Sequence, residues 1–181
     1  MKRALLVIDV QNDYFQGGAM QLVGSELALR QINQLEKLFL SQSLPIIYIQ
    51  HINPAEAPFF RPNTQGVALH SQLLLQEDSI VIEKSLPNSF LKTSLEETLQ
   101  QLEIEQLVIT GMMTHMCIDS GTRAAAERGY HPILIADATA TRDLQFKDQT
   151  TAAADVQTAF LAALSTFAQI QNTEDFIEKI S

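Results

Sequence analysis

The 181-residue chain has one cysteine, no tryptophan, four histidines, and 12 basic residues against 21 acidic ones. Each shortage excludes something. A single cysteine can form neither an internal disulfide nor a cysteine-rich zinc site, so Cys117 is either a packed core residue or a reactive thiol. The formal charge of -9 sets the surface against nucleic acid and anionic membranes, which would repel it at neutral pH, and leaves small molecules as the expected partners. No stretch approaches the roughly 18 consecutive apolar residues of a membrane-spanning helix. Met1–Val10 also lacks the basic start followed by a long apolar run that marks a secretion signal, because Lys2 and Arg3 lead only into a short run broken by Asp9. The expected address is the cytoplasm.

What is present suits one folded domain over residues 1–181. Hydrophobic residues make up 46% of the chain, enough apolar surface to offset chain entropy at this length. The run ALLVID ends in Asp9 and has the unbroken apolar character of a buried parallel strand. Helical spacing follows from Glu26 to Phe39, with Leu27, Ile32, Leu35 and Leu38 near one face and Ser25 as the expected N-cap. PIIYIQ is the second strand, and His51 to Gly66 is a long loop carrying Phe59 and Phe60, suited to lie over a pocket. SIVIEK delivers Lys84 at a third strand end, Leu91 to Leu102 is expected as helix, and QLVITG is the fourth strand. A helix from about His115 to Arg128 should stop at Gly129, PILIAD should end a fifth strand at Asp137, and an Ala-rich helix should span Thr151 to Phe167. AQIQ is a short sixth strand candidate, and TEDFIEKI a terminal helix with Thr173 as N-cap. Strands alternating with helices imply a doubly wound, mainly parallel α/β sheet with its ligands at the strands' carboxyl ends.

Asp9, Lys84 and Cys117 all fall on that edge. A thiol beside an ammonium and near a helix N-terminus is expected to ionise below the usual pKa of about 8.5, and a carboxylate can take and return the thiol proton. Taken singly, each residue has an ordinary explanation, as core packing, turn cap or solvated strand end. The turn in TGMMTHMC exposes backbone N–H groups suited to an oxyanion, although any strand-to-helix turn does so to some degree.

Taken together, LLVIDVQNDYF, VIEKSLPNSF, LVITGMMTHMCIDSGTRAAAERGY and ILIADATAT, in this order from about Ala4 to Ala168, resemble the isochorismatase-like cysteine hydrolases. The resemblance implies a six-stranded parallel sheet in a three-layer, Rossmann-like sandwich and a catalytic triad at Asp9, Lys84 and Cys117. It also implies a cis peptide at Met112–Met113, an oxyanion hole from the backbone N–H groups of Met113 and Cys117, and a homo-oligomer, dimer or tetramer. Family members that hydrolyse the vinyl ether of isochorismate typically lack the cysteine, whereas those resembling nicotinamidase and ureide hydrolases use it, so Cys117 favours cleavage of an amide, ureide or carbamoyl C–N bond through a thioester. Nicotinamidases bind a metal through an Asp-x-His pair and two further histidines. Here Ile49 stands two residues before His51, and only His70 follows in that region, so neither metal nor cofactor is expected. Phe15, His51, Phe59, Phe60 and His115 are the candidates to contact substrate, from loops near the triad. The competing readings are a vinyl ether hydrolase that needs no thiol, and a non-catalytic binding module. Against the latter, GGAM lacks the spacing of a dinucleotide-binding loop.

Overall fold

Ala4 to Ile8 form a strand covered on both faces, and all five are fully buried. The computed structural model describes residues 1–180. In chain order its strands are β1 (Arg3–Ile8), β2 (Ile46–His51), β3 (Ile80–Lys84), β4 (Gln106–Met112), β5 (Ile133–Ala140), β6 (Leu144–Phe146), β7 (Gln149–Thr151) and β8 (Gln169–Gln171). Six of them make a wholly parallel sheet in the order β3-β2-β1-β4-β5-β8, and β6 pairs with β7 as a separate hairpin. No helix among the described residues is long and apolar enough to cross a membrane.

Alternating side chains divide the core between the two faces. Leu5, Val7, Tyr48, Val108 and Ile135 join one cluster with Leu29, Ile32 and Phe39 of α1 (Ser25–Ser41) and Phe176 of α5 (Thr173–Ile180). Leu6, Ile8, Ile47, Ile49 and Ile109 join the other with α2 (Leu95–Gln101), α3 (Asp119–Glu127) and α4 (Ala153–Leu164). The Phe39 and Phe176 rings stack 6.3 Å apart, and burying each contributes about 2–3 kcal/mol. One polar group interrupts the first cluster: the buried Glu36 carboxylate accepts from the Tyr48 hydroxyl at 2.7 Å, the Leu74 N–H at 2.9 Å and the Asn33 amide at 2.7 Å. Burial pushes its pKa up, and these three donors hold it partly back.

Several boundaries differ from the sequence expectation, each for a local reason. The buried face of α1 runs through Ala28, Ile32, Leu35, Glu36 and Phe39, which leaves Leu27 60% exposed, and Gly24 at φ 80° takes the cap position instead of Ser25. Lys92 sits at φ 58°, incompatible with a right-handed helix, so α2 starts at Leu95 and not at Leu91. β5 continues past Asp137 to Ala140, with a register shift against β4 between Ile109 and Gly111. The Asp137 carboxylate instead closes the start of α5, accepting both the N–H and the hydroxyl of Thr173 at 2.9 Å, and Thr173 is the first helical residue. Thr151 pairs in the β6–β7 hairpin, which delays α4 to Ala153. The turn before α3 is a wide one, Thr114–Ile118, and the helical run ends ahead of Gly129, whose φ of 80° is the left-handed cap expected there.

The sheet reverses its winding order between β1 and β4, the point at whose carboxyl ends open α/β sheets bind their ligands. The loop after β2 is sewn down against the segment that follows β1. The Phe60 N–H donates to Asp13 Oδ2 at 2.7 Å, the Asp13 N–H to the Gly66 carbonyl at 2.9 Å, and the Asn12 N–H to the Ala68 carbonyl at 3.0 Å. Gly66 passes so close to the Asp13 carboxylate that a β-carbon there would overlap it.

Candidate active site

Four strand ends converge on one ammonium. Asp9 directly follows β1, His51 and Lys84 end β2 and β3, and Cys117 sits in the turn after β4. Lys84 Nζ lies 2.8 Å from Asp9 Oδ2, 2.9 Å from His51 Nδ1 and 3.2 Å from Cys117 Sγ. All four residues are buried, the most exposed, His51, by only 7%. Asp9 has a left-handed backbone, φ 53°, which lets its short side chain turn from the strand end toward Lys84. The Met112–Met113 peptide bond is cis, immediately ahead of the turn that carries Cys117.

The charges in this cluster are coupled. Burial disfavours the Asp9 carboxylate, but the Lys84 ammonium opposes that, and its pKa is held below the ordinary carboxylate value. Burial likewise disfavours the Lys84 ammonium, yet the neighbouring Asp9 and Cys117 hold its pKa up. Cys117 departs from the sequence expectation. Its thiol is pushed well up, first by burial and then by the Asp9 charge, and Lys84 only partly opposes them. The expectation had counted the ammonium and the helix end without the desolvation and the carboxylate. At rest the cluster is therefore carboxylate, ammonium and neutral thiol. Accordingly, iodoacetamide at pH 8 is expected to alkylate Cys117 roughly a hundredfold more slowly than free cysteine, measured by intact mass against time. Alkylation at the free-thiol rate would contradict this protonation state.

Asp9, His51 and Cys117 also present donor atoms that all lie within 4.8 Å of one another, a set from which a metal site could be made. The Lys84 ammonium stands among those donors at hydrogen-bonding distance, so an ion would have to displace a cation already paired with the same atoms. With Ile49 where an Asp-x-His pair would need its acid, the residues present do not fit a resident metal.

The isochorismatase domain model matches residues 3–175. The chain belongs to the isochorismatase family. The family protein YddQ of Bacillus subtilis is 43% identical over 180 residues, covering 98% of this chain and 100% of its own. An isochorismatase hydrolase from Oleispira antarctica superposes with a TM-score of 0.95 at 42% identity, covering 98% of this chain and 96% of that one. A more distant relative, the ureidoacrylate amidohydrolase RutB of Stutzerimonas stutzeri, is 26% identical and covers 81% of this chain and 73% of its own.

On this isochorismatase-family fold, the residues named from sequence as substrate contacts divide into groups. His51 is inside the cluster, and the Phe60 ring lies 6.0 Å from its imidazole. Phe59 packs one layer further out, 4.9 Å from Phe60 and 5.9 Å from Tyr14. Phe15 stacks on His70 at 4.1 Å, and His115 bonds the Thr141 hydroxyl at 2.6 Å on the β5 side. Met113 and Cys117, the expected oxyanion-hole residues, flank the turn Thr114–Met116, and both are buried.

Two residues of this family member were not singled out from sequence. Gln11 brackets His51: its Oε1 accepts the His51 N–H at 2.8 Å, while its Nε2 donates to the His51 carbonyl at 2.9 Å and to the Val67 carbonyl at 2.7 Å. Tyr14 is buried, and its pKa is pushed far up by burial and then by the Asp9 charge, which places the phenol in the field of that carboxylate. The available signal was their position, two and five residues beyond Asp9 in the same loop.

Proposed function

We propose that this isochorismatase-family hydrolase cleaves a C–N bond of a small amide, ureide or carbamoyl compound through a thioester on Cys117. The observation that carries the reading is the single buried ammonium bonded at once to the Asp9 carboxylate and the Cys117 sulfur. The similarity to an ureidoacrylate amidohydrolase supports the same bond type.

The steps follow from the protonation states. Asp9 Oδ2 is held by Lys84, while its Oδ1 is buried with no partner among the described residues and is the acceptor for the thiol proton. As that proton moves to Asp9, Sγ bonds to the substrate carbonyl carbon, and Lys84 stays against the sulfur as it gains charge. The carbonyl oxygen becomes an oxyanion, taken by the backbone N–H groups of Met113 and Cys117. Collapse breaks the C–N bond, Asp9 returns its proton to the departing nitrogen, and ammonia or an amine leaves. Water then gives a proton to Asp9 and adds to the thioester carbon. The thiolate departs and recovers its proton from Asp9, and the acid is released.

The test is ammonia or amine release by the wild-type protein across small amides, ureides and carbamoyl compounds, with rapid acid quench and mass spectrometry of the Cys117 peptide. Release, with a substrate-sized acyl adduct on Cys117, is the expected result. Release without an adduct on quenching, even for slow substrates, would argue against the thioester, and silence across the panel would turn the reading toward the thiol-independent vinyl ether reaction.

A further inference from the structure

We infer that His51 is a positioning residue: its Nδ1 is the third acceptor of the Lys84 ammonium and fixes the direction in which Lys84 presents a proton to Cys117. An ammonium has three N–H bonds and no lone pair, so at 2.9 Å the ring nitrogen must be the acceptor. With Asp9 Oδ2 at 2.8 Å and Cys117 Sγ at 3.2 Å, all three donors are then used, each by a different residue. An amine at the end of four rotatable bonds is held in one orientation only when its donors are all taken. His51 is itself tethered, because Gln11 bonds its backbone on both sides, at 2.8 and 2.9 Å, and the Phe60 ring stands 6.0 Å from the imidazole.

The tautomer follows from this assignment. Nδ1 carries the lone pair, so the hydrogen is on Nε2, which is buried and has no partner among the described residues. A histidine present only to pack would not need to direct its lone pair at a buried cation. During the reaction the consequence falls on the sulfur. When Asp9 takes the thiol proton, Lys84 already has one N–H aimed at the nascent thiolate, and no reorganisation is needed.

The proposal rests on reading Asp9, Lys84 and Cys117 as the reacting groups, and its decisive test requires no substrate. In 15N-lysine-labelled protein, the exchange of the Lys84 ammonium protons with water is followed by NMR for the wild type, His51→Asn and His51→Leu. Asparagine places an amide oxygen near the position of Nδ1, and leucine fills the space without an acceptor. Exchange is expected to accelerate roughly tenfold in His51→Leu, the loss of about one hydrogen bond, and to stay near the wild-type rate in His51→Asn. On any compound the wild type hydrolyses, kcat should fall roughly a hundredfold in His51→Leu with little change in KM, and recover substantially in His51→Asn. If His51→Leu does not fold by circular dichroism, His51→Gln replaces it, since its amide reaches past the Nδ1 position, and the same acceleration is expected. Wild-type exchange in the folded Leu or Gln variant, or no recovery in the Asn variant, overturns the proposal. Failure of the substrate panel alone overturns the reaction assignment and leaves the exchange result standing.

Discussion

Cys117→Ala protein is expected to fold normally and to lose C–N hydrolysis by at least about four orders of magnitude, because it removes the atom that becomes acylated. The structural cost is small. Cys117 is 4% exposed and shares an apolar cluster with Ile8 and Ile118, so losing one sulfur leaves a cavity of atomic size, at about 1 kcal/mol. Lys84 keeps two of its three acceptors, Asp9 at 2.8 Å and His51 at 2.9 Å, and is not left as an unpaired buried charge. A thermal melt within a few degrees of wild type, together with absent ammonia release, is the expected pair of results. The same variant separates the two hydrolase readings, since a vinyl ether reaction run by Asp9 and Lys84 would survive it. Ammonia release at the wild-type rate from the Ala protein would refute a covalent role for the thiol.

The second large effect is on the scaffold. Gly111→Ala is expected to prevent accumulation of folded protein, or to destabilise it by more than about 4 kcal/mol. Gly111 pairs with Ile8 across the β1–β4 boundary and adopts φ 118°, a region that side chains of L-residues avoid. A β-carbon built there overlaps the Ile8 carbonyl oxygen, and it meets backbone, which cannot swing aside as a side chain would. Relief would require β1 to move, and Asp9 is the next residue after Ile8. Soluble yield and urea unfolding measure the effect, and an Ala variant with a wild-type midpoint would show that this close approach is not needed.

How far the sequence foretold the structure depended on the kind of signal. Buried parallel strands announced themselves, because runs such as Ala4 to Ile8 have no polar face and end at the residues that define the site. Helix faces were less clear. Leu27, Ile32, Leu35 and Leu38 looked like one stripe, but Ala28 and the polar Glu36 belong to the inner face, and only the partners Tyr48 and Leu74 make a buried carboxylate there intelligible. Asp137 looked like a strand end, and its use as a cap depends on Thr173, 36 residues away. The β6–β7 hairpin was missed, since its turn at Lys147, φ 55°, carries no glycine or asparagine to mark it. At the site, residue types and strand ends pointed to Asp9, Lys84 and Cys117, while the direction of the thiol's pKa was misjudged. Desolvation is a property of the packed cluster and is invisible in a list of neighbours. His51 was named for the substrate pocket, and its contact with Lys84 became apparent only from distances.

The left-handed backbone at Asp9 narrows the alphabet open to this position. At φ 53°, glycine, asparagine and aspartate rest with least penalty, unbranched side chains such as that of Glu103 at φ 55° are tolerated, and β-branched side chains meet their own backbone. Of the two acidic residues, the shorter is the one more at home in this turn, so carboxylate chemistry and chain geometry lean toward the same amino acid. A drifting sequence that tried valine or isoleucine here would lose the base and strain the turn at once, glutamate would misplace the base by one methylene, and asparagine would preserve the shape while silencing the proton transfer.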